Sequence, residues 1–129
     1  ANALYRPSYV SLEYALAYYS MIPEMVYTVT SVTTKPTREF SVESIVFSYL
    51  TIKRVAYTGY QLVEINGEKY LIADAEKALA DYLYFVSLGK KTLNDRLDIR
   101  RVNREKLENY AKIFGRSRIM GLIGDTYDQ

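Results

Sequence analysis

The pair Asn66-Gly67, set between two apolar runs, constrains this chain more than any other feature. Both central residues of a two-residue type I′ turn need positive φ, which asparagine and glycine tolerate best, so the stretch predicts a β-hairpin. Taking those two residues as the turn fixes the register. Ile65 faces Glu68, Glu64 faces Lys69, Val63 faces Tyr70 and Leu62 faces Leu71. The opposite charges of Glu64 and Lys69 lie cross-strand near the turn, a contribution of at most some tenths of a kcal/mol. Leu62 and Leu71 share one face, and Val63, Tyr70 and Ile72 the other. Since both faces are apolar there, the hairpin is expected inside a sheet rather than at its rim.

A helix follows directly. Asp74 is a short acceptor suited to the N-cap, and Glu76 complements the dipole in the first turn. Ala75, Ala78, Leu79, Tyr82, Leu83 and Val86 recur at the spacing of a helix with one buried face, and Gly89 suits its end. Upstream, Ser11 is placed to cap a first helix running to about Met21, with a stripe of Leu12, Ala15, Leu16 and Tyr19, closed by Ile22-Pro23. Tyr27 to Lys35 is rich in Thr and Val and reads as a strand; Arg38 to Val42 and Ile45 to Ile52 read as two more. Downstream, Leu93 to Ile99 is expected to be helical. Asn103 caps a further helix carrying Leu107, Tyr110, Ala111 and Phe114, which Gly115 ends. Ser117 is placed to cap a short last helix through Met120 and Leu122, before a frayed stretch from Gly121 to Gln129. The class is α+β: a mostly antiparallel sheet of four or five strands, an N-terminal helix and a C-terminal helical segment, in one domain over residues 1–129.

Composition excludes several chemistries. The chain has no cysteine and no histidine. Disulfides, thiolate zinc sites, cysteine nucleophiles and histidine-based triads are therefore out, and a reducing, cytoplasmic setting is expected. No apolar run approaches the roughly 20 residues that span a bilayer. An Asp followed by Glu-x-Lys would suggest a metal-dependent nuclease, with Asp74 or Glu76 as ligands. That chemistry needs its carboxylate and lysine on one strand face, and Glu68-Lys69 and Glu76-Lys77 are adjacent. Lys77 and Asp81 stand one helical turn apart, the spacing of a solvated surface pair. No glycine-rich phosphate loop is present, and no spacing suggests a Ser–Lys dyad. The expectation is a non-enzyme without cofactor or metal.

Charge is uneven. The net charge is +2, yet from Lys90 to Arg118 ten basic residues stand against four acidic ones. Arg96, Arg100 and Arg104 are spaced by four and align if one helix carries them, although Val102 and Asn103 interrupt it. With Arg101, Arg116 and Arg118 they form the candidate surface for nucleic acid or an acidic partner. The 14 tyrosines supply a second candidate, a Tyr-rich sheet serving protein interaction or ligand sensing.

Several stretches carry a family resemblance. Arg6-Pro7-Ser8-Tyr9-Val10-Ser11-Leu12-Glu13, Ala15-Leu16, Tyr18-Tyr19 and Ile22-Pro23-Glu24 resemble the AbiEi-type antitoxins of toxin–antitoxin (abortive infection) loci. So do Thr28-Val29-Thr30-Ser31-Val32-Thr33-Thr34-Lys35, Phe47-Ser48-Tyr49, Gly59-Tyr60, and Leu71-Ile72-Ala73 leading into Glu76-Lys77-Ala78-Leu79. The likeness runs from about Leu4 to Leu83. Ser20 departs from it, standing where such proteins usually have glycine, as does Ala75, where they usually have the proline that opens the helix. The resemblance implies a winged-helix DNA-binding domain preceding a domain like this one, so the chain, which starts at Ala1 without an initiator methionine, is expected to be a piece cut from a longer protein or a processed product. It implies operon repression through operator DNA, bound by the full-length protein. It also implies a functional link to a nucleotidyltransferase-like toxin that is thought not to bind its antitoxin directly. It supplies no catalytic residue. The expected function is a non-enzymatic effector domain of an AbiEi-like transcriptional regulator or antitoxin.

Overall fold

A computed structural model describes residues 2–128. The element order is β1 (Ser8–Val10), α1 (Leu12–Tyr18), β2 (Val29–Thr33), β3 (Arg38–Val42), β4 (Ile45–Thr51), β5 (Tyr60–Ile65), β6 (Glu68–Ala73), α2 (Ala75–Ser87), α3 (Arg104–Ile113) and α4 (Ser117–Tyr127). The α+β class holds. The sheet is larger and more mixed than expected, with six strands in the order β3-β4-β2-β1-β6-β5. β1 pairs antiparallel with β2 and parallel with β6, and β2 pairs parallel with β4. Those parallel contacts arise because β3 folds to the outside of β4 and β1 wedges between β2 and β6. A three-residue strand leaves too short a pattern to read in advance.

The hairpin register is the expected one, from Ile65↔Glu68 to Leu62↔Leu71, and Asn66 and Gly67 take positive φ of 52° and 81°. Its place in the sheet is not. β5 is an edge strand, and Leu62 is 61% exposed. Apolar residues on both faces of a hairpin therefore did not mean an interior position here.

α2 is the hub. It packs against α1, α3, α4 and β6, and it is buried on nearly every side rather than along one face. With β1, it gathers a single core that includes Tyr9, Leu16, Val32, Leu79, Leu83, Phe85, Leu107, Phe114 and Ile119. Burial of that many large apolar side chains, each contributing about 1.5–3 kcal/mol, holds the helical layer to the sheet.

Three helix readings need correction. Leu93 to Ile99 is not helical. The Asn94 and Asp98 side chains accept from the backbone amides of Arg96 and Arg100, at 2.8 and 3.1 Å, local bonds that compete with a helical ladder. The Asp98 amide also donates to the carbonyl of Met21, tying the loop to the core. α1 stops at Tyr18, short of Met21, because Ser20 turns left-handed at φ 59°. A glycine would adopt that conformation without steric cost, which gives the Ser20 departure its physical meaning. α4 is not short: it runs eleven residues through Gly121 and Gly124, carried by Ile119 and Ile123 one turn apart and both buried. Of the segment expected to fray, Gln129 lies outside the described residues. Asn103 caps α3 as expected, accepting from the Lys106 amide at 3.1 Å. Asp74 and Ser11 occupy N-cap positions without a side-chain capping bond; their oxygens serve elsewhere. Among the described residues, no helix is long and apolar enough to cross a membrane.

Candidate functional site

The six arginines singled out from the sequence do not form one stripe. With no helix through 93–99, Arg96, Arg100 and Arg104 lose their alignment. Arg96 pairs with Glu24, and Asn94 donates to the same carboxylate at 2.7 Å. The bond from Asn94, followed by Arg96, holds Glu24 below its ordinary pKa. Arg100 grips Asp98 through two bonds of 2.7 and 2.9 Å, and this lowers Asp98 to about 2. Arg104 pairs with Glu108 at 3.2 Å and lies 4.6 Å over the ring of Tyr127. Arg116 donates to the hydroxyl and carbonyl of Ser87, fastening the start of α4 to the end of α2. Arg101 and Arg118 are exposed. Four of the six thus make contacts within the fold.

A second cluster was misread as surface. Lys77 and Asp81 do pair across one turn of α2, but both side chains are 0% exposed. Asp81 also accepts from the Tyr9 hydroxyl at 2.9 Å and the Ser11 hydroxyl at 2.8 Å. The Lys77 ammonium donates to the Tyr9 oxygen at 2.7 Å and lies 5.2 Å from the ring of Phe114. Burial pushes Lys77 down and Asp81 up, while their mutual attraction opposes both changes. Burial, then Asp81, raises Tyr9 far above its ordinary value. Four polar side chains satisfying one another in the interior make a structural lock, closed to solvent. Asp74 and Glu76, considered above as nuclease ligands, are likewise engaged: the Tyr110 hydroxyl donates to Asp74 at 2.7 Å and the Asn103 amide to Glu76 at 3.0 Å. Both bonds hold α3 against α2.

The open feature lies on the other side of β1. Strand alternation turns Tyr9 toward the lock and Val10 to the opposite face. On that face the registers align Val10 with Ile72 of β6, Tyr70 with Val63 of β5, and Val29 of β2 with Phe47 of β4. β1 ends at Val10 and the chain enters α1, whose Tyr14 and Tyr18, also one turn apart, close the end of a groove of about 420 Å³. The Tyr14 amide donates to the Thr30 hydroxyl at 2.9 Å, which fixes α1 to β2 beside it. The floor is shut to solvent, Val10 and Ile72 each being 3% exposed, whereas Tyr18 on the rim is 45% exposed. The polar groups are few. The Tyr70 hydroxyl donates to Glu68 at 2.7 Å, and that bond raises its pKa. A concave, mostly apolar surface with a few polar groups at the rim is the general form of a binding site. The signal for it was present in the sequence as Tyr14 and Tyr18, on the side of α1 away from Leu12, Ala15 and Leu16, together with the alternating Ile45 and Phe47.

No protein-family model matches this chain, and neither a curated protein nor a solved structure does.

Proposed function

We propose that this chain is a cytoplasmic, non-enzymatic effector domain of an AbiEi-like transcriptional regulator or antitoxin, acting by contact through the tyrosine-rimmed groove. It would contribute to operon autoregulation and toxin neutralisation within a longer protein whose preceding domain binds operator DNA. The observation that carries this reading is the groove itself: aromatic rings from α1, β4 and β6 converge on one concavity, while the interior ionisable cluster is sealed. The residues of the resemblance support it, since Tyr9, Ser11 and Lys77 build the lock behind the groove, and Val10, Tyr18, Val29, Phe47 and Ile72 line it.

The test is rescue of growth from the adjacent nucleotidyltransferase-like toxin by the full-length protein. Replacing Tyr14 and Tyr18 by alanine should abolish rescue while thermal unfolding of the domain stays near that of the parent. Undiminished rescue by that variant would assign the activity elsewhere. The second reading, nucleic-acid contact through the basic third, rests on the exposure of Arg101 and Arg118. It predicts that reversing those two charges weakens the salt-dependent operator affinity of the longer protein in a mobility-shift titration.

A further inference from the structure

We infer that the free edge of β5 is a self-association surface, and that its partner is a second copy of this chain paired antiparallel about a two-fold axis through Leu62. β5 closes the sheet on one side, and five of its six residues are exposed. An edge strand presents unpaired backbone donors and acceptors to any strand that can lie beside it. In an antiparallel pair, alternate residues turn their N–H and C=O groups to opposite sides. The Asp74 amide donates to the Gly59 carbonyl at 2.8 Å, so Gly59, Gln61, Val63 and Ile65 bond toward β6. Tyr60, Leu62 and Glu64 therefore aim their backbone groups outward.

That outward set is complementary to itself. Read against a copy in the opposite direction, Leu62 meets Leu62 and Tyr60 meets Glu64 on either side. Apolar meets apolar at the centre, each carboxylate lies beside a tyrosine, and no like charges are opposed. Shifting the axis by one residue to Val63 would instead set Leu62 against Glu64 on both sides, an apolar side chain against a charge. The opposite rim differs. β3 carries Arg38 and Glu39, with the Arg38 guanidinium folded over Phe40 at 4.6 Å, and charge at an edge discourages pairing. β5 has no proline and only Glu64 as a charge. The isologous geometry is the commonest closed arrangement for a homo-oligomer.

The experiment is sedimentation equilibrium of the chain from micromolar to millimolar concentration, with three variants. The parent should show a reversible monomer–dimer equilibrium. Leu62→Lys places two cations across the axis and should raise the dissociation constant at least about tenfold without altering the circular dichroism. The chain has no cysteine, so Leu62→Cys introduces a single thiol. A hydrogen-bonded cross-strand pair holds its Cα atoms about 5.5 Å apart, within disulfide range, so this variant should cross-link on oxidation. Glu64→Cys places its two thiols roughly 13 Å apart along the paired strands and should not. A chain that stays monomeric throughout overturns the inference. So does a dimer indifferent to Leu62→Lys, cross-linking at 64 as fast as at 62, or an edge that takes up only a strand of a different protein.

Discussion

Two pairs of opposite charge in this chain have the same spacing and opposite fates. Lys77–Asp81 on α2 and Arg104–Glu108 on α3 are both one helical turn apart. The first is enclosed by β1, Gly59 and Phe114, and its partners are completed by two hydroxyl groups. The second lies at the surface, with Arg104 half exposed. Spacing decides that each pair forms; the surrounding elements decide what the pair is worth. An exposed pair contributes little because water solvates each ion nearly as well alone. A buried pair matters chiefly when one partner is removed, because the other is then left charged and unsolvated.

The contrast can be broken most severely at Asp81. Asp81→Ala should destabilise the domain by about 3–5 kcal/mol, by leaving the Lys77 ammonium unpaired in the interior. The double variant Lys77→Met with Asp81→Leu should recover most of that loss, and chemical denaturation of the three proteins would show it. If the single and double variants unfold together, the lock is not a coupled unit. Next comes Gly59→Ala. Gly59 has φ +77°, and an added Cβ would stand 2.7 Å from the Lys77 Cγ. The strained backbone and displaced lysine together should cost about 1–3 kcal/mol, lowering the melting temperature.

A smaller effect of the opposite sign sharpens the comparison by changing α2 without touching its charges. Ala75 is the first residue of α2, and Asp74 before it is already extended at φ −57°, ψ 158°. Ala75→Pro should therefore add about 0.4–1 kcal/mol, as should Ser20→Gly at its left-handed position, with the two gains additive. Smallest is Arg104→Ala, expected to cost only about 0.3–0.5 kcal/mol despite its good helical spacing.

Acid offers a last probe, local to the loop 88–103. Glu24 and Asp98 are both held below their ordinary values of 4.5 and 3.8, Asp98 to about 2. A carboxylate lowered in the folded state stabilises above its unfolded pKa and loses that contribution as pH falls through its folded one. The loop should accordingly loosen between about pH 4.5 and 2, and amide exchange at Arg96 and Arg100 measured across that range would report it.

The sequence was legible where local chemistry dominates. Asn66-Gly67 dictated a turn, the turn dictated a register, and the register placed every cross-strand pair of β5 and β6. Asn103 and Gly115 bounded α3 for similarly local reasons. It was illegible where distant segments decide. Nothing in Lys77-x-x-x-Asp81 announces that Tyr9 and Ser11 will arrive from the far end of the chain. Leu93 to Ile99 has adequate helical periodicity, and loses to side-chain bonds and an anchor on Met21. The basic third likewise read as one surface because its charges were counted before their acidic neighbours could be placed. The groove escaped as a whole because it is assembled from α1, five strands and a turn, none of which is concave alone.

β1 is three residues long and has the lock on one side and the groove on the other. An apolar α2 could slide or rotate against the sheet at modest penalty, but Asp81 must find two hydroxyls and an amine at once, and only one seating provides them. Tyr9 is thereby immobilised, and Val10, its immediate neighbour, inherits that rigidity. The depth of the recess on the far side is thus set from within, so whatever settles there meets a mould cast before it arrives.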